Sequence, residues 1–560
     1  MLMLDEILAI LDIIGARCLA NRYSFLSHGG DMGRLSSIPI IFGVTGHRDL
    51  RDEDIVSLEA SVRELLASYQ TKYPHTELIV ISALAEGADM LVARVAVELG
   101  LTLHVLIPYQ EEEYLNSFAD RDNNEAEYRR LKGAASRFEV HSCVHTHGAE
   151  SCYQQLGERI ADVSTILIAL WDGVDNGKRG GTAAIVRYQR AGFEENRFDA
   201  MDGNALFVIT TPRISHPDVQ TDFSVEREYL GKFVKGEAFE AMLSKIDALN
   251  AETGTIAHTD GSVLQAYMNY FEATAGANQK RFKTISVLIL VLTALAFASM
   301  EMMHVMHWDF MTWGYGVGLL LAFDLYWFFM KNGKVQDDFV YSRGFAEAIR
   351  VQNAWNGAKL GKSVARYHLK DQHHKFTWLK TVLKNLDYID KDKEPFTPAY
   401  DKGSTPHDWI DGQIEYFTDA LKKRHGKHLL WERIETWLYK VGLVSLVLMF
   451  VVFALESLHL VHHGALWFNW HYLVLVSGLL LMVAAFIGEK YMKIAGFEEE
   501  IYHFNAMLSD FKEAKKALTD VTEGSDAYRK IIYDLGRKAL DENSKWVVLH
   551  DSMRAKPSLE

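Results

Sequence analysis

Three glycine-centred turns carry the residues of this chain best suited to hold a phosphate. Val44-Thr45-Gly46-His47-Arg48 ends one apolar run, and Ala83-Leu84-Ala85-Glu86-Gly87-Ala88-Asp89 ends a second. Trp171-Asp172-Gly173 ends a later one and leads through Lys178-Arg179 to Gly180-Gly181-Thr182. Glycine lets backbone approach a phosphate or ribose closely, and a helix beginning after Thr182 offers unpaired N–H groups. Arg48, helped by Arg179, supplies charge to a phosphate, and Asp89 or Asp172 accepts ribose hydroxyls. One such turn is what any α/β sheet uses to change direction. Three at successive strand ends fit a nucleotide-type site, because ligands of open α/β sheets bind beyond the carboxyl ends of the strands.

The elements needed to position these turns are legible between Ile38 and Thr211. IPIIFGVTG, LIVIS, LTLHVLIPY, STILIALWDG and ALFVITTP read as strands, separated by helical patterns such as VSLEASVRELLASY and MLVARVAVELG. Strand–turn–helix repeats of this kind predict an α/β, Rossmann-like, doubly wound parallel sheet.

An all-α membrane region is expected to follow. A bilayer core of roughly 30 Å needs about 20 mostly apolar residues in a helix. Thr284–Met303, Met311–Met330, Val441–Leu460 and His471–Gly488 meet that description, predicting four transmembrane helices in two hairpins. The connectors EMMHVMHWDF and ESLHLVHHGALWFNW lack Lys and Arg, whereas QKRFK, KNGK and KKRHGK flank the other ends. The positive-inside rule then places both termini and the soluble domain in the cytoplasm, with the chain in the inner membrane. Gly314 and Gly318 form a G-x-x-x-G suited to close helix packing. Glu301 and Glu456 stand near the outer mouths, as an acidic ring in an oligomer or as markers of the headgroup layer. Asp324 lies within a span, either lining a pore or bonding a neighbouring helix.

The resulting division is 1–37, an amphipathic segment; 38–215, the nucleotide-binding domain; 216–283, a helical stalk; 284–331, the first hairpin; 332–440, a cytoplasmic helical insert; 441–488, the second hairpin; and 489–560, long cytoplasmic helices. A formal charge of −15 argues against a nucleic-acid partner, which needs clustered cations. Cys18, Cys143 and Cys152 have no metal-ligand spacing and read as reduced thiols. His368, His373, His374, His459, His462 and His463 lack the companion ligands of a zinc site, so no metal is expected. No G-x-S-x-G or Ser-His-Asp pattern supports acyl chemistry.

The V-T-G-H-R, A-L-A-E-G-A-D and W-D-G…G-G-T motifs resemble the SLOG superfamily over about residues 38–211. That Rossmann-like group includes the LOG phosphoribohydrolases, DprA and the nucleotide-sensing domains of melastatin-type channels. The resemblance implies that Gly46, His47, Arg48, Glu86, Gly87, Gly180, Gly181 and Thr182 line a pocket for a nucleotide-derived ligand, to which the reading of the strand ends adds Asp89, Asp172 and Gly173. That ligand would be ADP-ribose-like or a cyclic nucleotide, and no cofactor is required. The phosphoribohydrolases place a catalytic Glu three residues after the Thr of P-G-G-x-G-T-x-x-E, whereas here Ile185 occupies that position. An aliphatic side chain performs no acid–base chemistry, which favours a sensor over a hydrolase.

The paired spans and long cytoplasmic helices, with Phe345–Trp355 and Lys538–His550, resemble SLATT domains of bacterial conflict systems. Together the resemblances imply a homo-oligomeric membrane effector opened by a nucleotide signal in antiviral defence. The alternatives are a membrane-tethered nucleotide-cleaving enzyme and a constitutive transporter using Asp324.

Overall fold

In a computed structural model, residues 33–552 are described except 142, 144–148, 176, 192–203, 231–234, 255–256, 259–261, 307–308, 332–334, 369–375, 391–404, 459–469 and 496. Most of the expected amphipathic segment 1–37, together with Cys18, His373, His374, His459, His462 and His463, lies outside these residues, as does the Glu456 side chain. The chain forms two compact units, one of residues up to Met268 plus 362–399, the other of 269–361 plus 400–560. The stretch 362–399, read from sequence as part of a separate insert, therefore belongs with the sheet.

The first unit is built on seven strands: β2 (Ile40–Gly46), β3 (Leu78–Ser82), β4 (Thr102–Ile107), β5 (Arg137–Val140), β6 (Ile166–Trp171), β7 (Ala205–Thr210) and β8 (Val225–Tyr229). Two-residue strands β1 (Gly33–Arg34) and β9 (Ala257–His258) pair separately. The spatial order is β5-β4-β3-β2-β6-β7-β8, reversing direction on either side of β2. Ile40, Ile41, Phe42, Val80, Ile81, Ile166, Leu167 and Ile168 are fully or almost fully buried, as strands covered on both faces must be. The sheet is mixed rather than wholly parallel, because β8 pairs antiparallel with β7, Leu206 standing opposite Glu228. Its sequence VEREY has only a half-apolar pattern, and β5 reads RFEV, so neither edge strand carries the apolar run that marks the five central ones.

Helices α1 (Ile55–Lys72), α2 (Ala88–Glu98), α3 (Glu111–Leu115), α4 (Arg121–Ala134), α5 (Ala149–Val163), α6 (Thr182–Ala191) and α7 (Gly236–Thr253) belong to this unit. Cys143, just past β5, is bonded to Cys152 in α5, with Cα atoms 5.5 Å apart. This corrects the reading of these two residues as free thiols: their sequence spacing carries no metal signature, but folding brings them into bonding distance.

Near the sequence end of this unit, helix α11 (Thr377–Asp390) lies across the amino ends of the strands. Lys384 Nζ donates to Ser164 O at 2.7 Å and Asn204 Oδ1 at 2.9 Å, just before β6 and β7. Asn385 Nδ2 donates to Pro39 O at 2.7 Å and Thr165 Oγ1 at 3.1 Å. Asp390 Oδ1 accepts from Ser262 Oγ and the Leu264 N–H. Backbone groups that leave the ladder at a buried sheet edge need partners, and this helix provides them.

The second unit is helical: α8 (Val263–Met306), α9 (Met311–Leu325), α10 (Val335–Gly357), α12 (Pro406–Ser457), α13 (Trp470–Ala495), α14 (Phe497–Leu518) and α15 (Asp526–Ser552). The first six residues of α8 belong to the sheet unit. Among the described residues two helices, not four, are long and apolar enough to cross a membrane, Val263–Met303 and Pro406–Leu455. Helix α9 is 15 residues long, about 22 Å, before the backbone widens to a π-helix over Tyr326–Lys331. In α13 several side chains of the first turns lie outside the described set. The apolar windows of the two long helices are only 11% and 6% buried, so these are not core helices of the folded chain.

Each long helix carries a close companion. A Cβ at Gly314 would lie 2.8 Å from Ser299 Oγ, and one at Gly318 would lie 3.0 Å from the Ala296 Cβ, as the G-x-x-x-G reading requires. Gly442 and Gly478 similarly bring α12 onto α13, a Cβ on Gly442 falling 3.0 Å from the Gly478 carbonyl oxygen.

Candidate functional site

The switch in strand order places the carboxyl ends of β2, β3 and β6 side by side, and the three glycine turns with them. Successive residues of an extended chain face opposite ways, and just past β2 His47 and Arg48 enter different neighbourhoods.

His47 joins β6. Its Nε2 accepts the Asp172 backbone N–H at 3.1 Å. Burial, with Arg213 nearby, pushes the imidazole below its ordinary pKa against the pull of Asp172. Asp172 Oδ1, 3.0 Å from that same nitrogen, instead takes the Val174 N–H at 3.0 Å. Burial would raise the Asp172 carboxyl, but the Val174 N–H, His47 and Arg213 outweigh it and hold it below the usual carboxylate range. Arg213 Nε donates to Asp49 Oδ1 at 2.8 Å, and His216 Nδ1 lies 3.3 Å from Asp172 Oδ2. The side chains of His47 and Asp172 are spent on each other and on the loop after β7.

Arg48 enters an aromatic basin. Its guanidinium lies 5.2 Å from the centre of the Tyr153 ring, and Nη1 reaches Ser117 O at 3.4 Å. Tyr153 and Tyr109 join hydroxyls at 2.6 Å, and Tyr153 donates to Ser117 Oγ at 3.2 Å. Tyr114 packs edge-on against Tyr109 with ring centres 5.9 Å apart. Its hydroxyl is buried without a hydrogen-bond partner. Asp89, wholly buried in the first turn of α2, is pushed up to about 7 by burial although Arg48 draws it down. Arg48, Asp89, Tyr114 and Tyr153 thus form one electrostatic group.

The Glu86 carboxylate accepts the Ala119 N–H at 3.0 Å and Asn124 Nδ2 at 3.1 Å, fixing the start of α4. The glycines also answer to chain packing. Gly87 has φ +82°, and a Cβ there would lie 2.4 Å from Arg48 O. At Gly46 a Cβ would fall 2.3 Å from the Ala88 Cβ, and at Gly180 2.8 Å from the Tyr153 Cβ. Gly173 faces open space. At the start of α6 the first intrahelical bond is Ile185 N–H to Gly181 O, so the amides of Thr182, Ala183 and Ala184 lie before it, as at any helix start. Ile185 is buried, its Cδ1 sitting 2.4 Å from where a Cβ on Gly157 would be. An acid in that position would be desolvated against a helix backbone.

Sequence reasoning missed Tyr109, Tyr114, Ser117, Tyr153, Arg213 and His216. Tyr109 was available, because it follows the β4 strand whose end also belongs to the switch region. Nothing local marks Tyr153 or Arg213, which arrive from α5 and the loop after β7. Shallow, open depressions lie elsewhere, one along α12 at Leu429, Glu432 and Trp437, another at Thr210, Asp222 and Glu226. No group of three or more His, Cys, Asp or Glu suited to a metal occurs among the described residues. Glu301 is half-buried on α8, and Asp324 is exposed on α9.

No protein-family profile and no curated protein matches this chain. Among solved structures, DNA processing protein A (DprA) from Streptococcus pneumoniae is a neighbour at 16% identity and a TM-score of 0.20. The match covers 30% of this chain and 50% of that one, so the chain spans about half the length of its neighbour.

Proposed function

We propose that the protein is a membrane effector whose Rossmann-like domain senses a nucleotide-derived signal. The observation that carries the reading is the Arg48 basin: one buried-edge cation, a stacking tyrosine and the amide-bearing start of α6 meet at the strand switch, in a chain that also bears two exposed apolar helices. A phosphate takes charge from Arg48 and N–H groups from α6, while the half-exposed Tyr153 offers flat surface to a base. Close pairing of α8 with α9 and of α12 with α13 supports two hairpins, so that four helices cross the inner membrane with the sensor on the cytoplasmic side. Four helices enclose no conduit alone, which calls for a homo-oligomer. Antiviral defence is the setting that the sequence resemblances imply.

The test is leakage from liposomes holding the full chain, challenged with mono-, cyclic and ADP-ribose-type nucleotides. Leakage that needs one ligand and is lost in Arg48→Ala supports the reading; no leakage with any ligand sinks it. The buried Asp89, held near neutrality, favours one second reading, a nucleotide-cleaving enzyme with Asp89 as proton donor. Consumption of a nucleotide, lost in Asp89→Asn, would install that reading instead.

A further inference from the structure

The Cys143–Cys152 bond ends at the residue before Tyr153, whose ring faces Arg48. Its two sulfurs differ in access. Cys143, just past β5, is partly exposed, whereas Cys152, in the first turn of α5, is completely buried. That turn walls the basin on two sides. The Tyr153 hydroxyl meets Tyr109 at 2.6 Å and Ser117 Oγ at 3.2 Å. A Cβ on Gly180 would lie 2.6 Å from the Gln154 nitrogen and 2.9 Å from the Glu150 carbonyl oxygen, so the turn also presses on the glycine loop before α6. The rest of α5 is held separately. Leu156, Ile160 and Val163 are buried, and Asp162 accepts the Tyr188 hydroxyl at 2.9 Å. Opening the bond therefore frees the first turn and leaves the remainder of the helix on the sheet.

We propose that Cys143 and Cys152 form a thiol–disulfide exchange site that switches the Arg48 basin. Closed, the bond sets Tyr153 beside Arg48; open, it releases that ring. The reductant is a cytoplasmic monothiol of the glutathione class. Its thiolate attacks the accessible Cys143 sulfur, the S–S bond breaks, and the Cys152 thiolate leaves and takes a proton. A second thiolate attacks the mixed disulfide, forming the external disulfide, and the Cys143 thiolate leaves and is protonated. Two external thiols are oxidised and one protein disulfide is reduced. In a reducing compartment a disulfide is one that exchanges, not one that merely staples. The closed form is the better binder, because a wall already in place costs no ordering on binding. Action on a signal rests on the nucleotide reading above; action on the Arg48 basin does not.

The full chain in detergent is equilibrated in glutathione buffers of stepped ratio, and free thiols are read by alkylation and peptide mass spectrometry. The expected result is reversible opening, with glutathione trapped on Cys143 rather than Cys152. A bond that stays closed in the most reducing buffer, or fails to re-form, overturns the exchange site. In the same samples phenylglyoxal labels arginines, with the exposed Arg129 of α4 as internal standard. Arg48 should react about threefold faster once the bond opens, and equally fast in Cys143→Ala under oxidising buffer. Equal Arg48 rates in open and closed protein overturn the switch. In liposomes, half-maximal leakage should need about fivefold more nucleotide in the reduced protein. Leakage with the same nucleotide demand in both states overturns the switch. Absence of leakage in both states sinks the nucleotide reading alone, since the thiol and arginine readouts still decide the switch.

Discussion

At the residue scale, the site spends stability on its own chemistry, and Asp89 shows this most directly. Its folded pKa, about 7, lies above an unfolded value of about 3.9, so the native state holds the proton more tightly. Its contribution is therefore complete below pH 4 and is lost as pH rises through 7. Asp89→Asn should raise unfolding free energy at pH 8 by about 2–4 kcal/mol and flatten its decline between pH 4 and 7. Denaturant titrations at both pH values measure this; an unchanged slope would show that Asp89 is solvated. At Gly87 the constraint is steric. Any side chain there meets positive φ and the Arg48 carbonyl together, so Gly87→Val should cost about 3 kcal/mol or more. A loss below 1 kcal/mol in the same assay would mean that the turn relaxes freely.

At the scale of elements, two devices fix parts that the strands alone leave loose. The Cys143–Cys152 bond fastens the first turn of α5, whose next residue, Tyr153, carries the ring beside Arg48. Closing so short a loop contributes about 2–3 kcal/mol in the chain-entropy account. Cys143→Ser, or reduction by dithiothreitol, should speed amide exchange over residues 149–155 and leave β2 and β6 protected. Equal protection in oxidised and reduced protein would show that the bond is idle. Across the opposite end of the sheet, α11 contributes the buried Asn385 amide to Pro39 O. Asn385→Leu strands that carbonyl without a donor, for an expected loss of about 1–3 kcal/mol. Exposed Lys359→Ala, as a control, should leave the sheet's melting unchanged.

At the scale of the whole molecule, the apolar surfaces decide where the protein lives. Leu320, Val444, Phe450 and Phe453 are all more than half exposed. Expressed protein should pellet with membranes, resist alkaline washing and dissolve only in detergent; recovery in the soluble fraction would refute the membrane placement. The sequence by itself determined the central strands, the glycine turns at their ends and the apolar stretches of the two long helices. Those features depend on local runs, on periodicity and on backbone freedom, all of which are written in neighbouring residues. Tertiary structure alone decided that VEREY closes the sheet antiparallel, that the helix Thr377–Asp390 caps the strand ends, and that Cys143 meets Cys152. It alone divided His47 from Arg48, giving the first to Asp172 and the second to Tyr153. Each of these pairings joins residues whose separation in the chain carries no periodic signal, and only the packing of distant elements brings them within hydrogen-bonding or van der Waals reach.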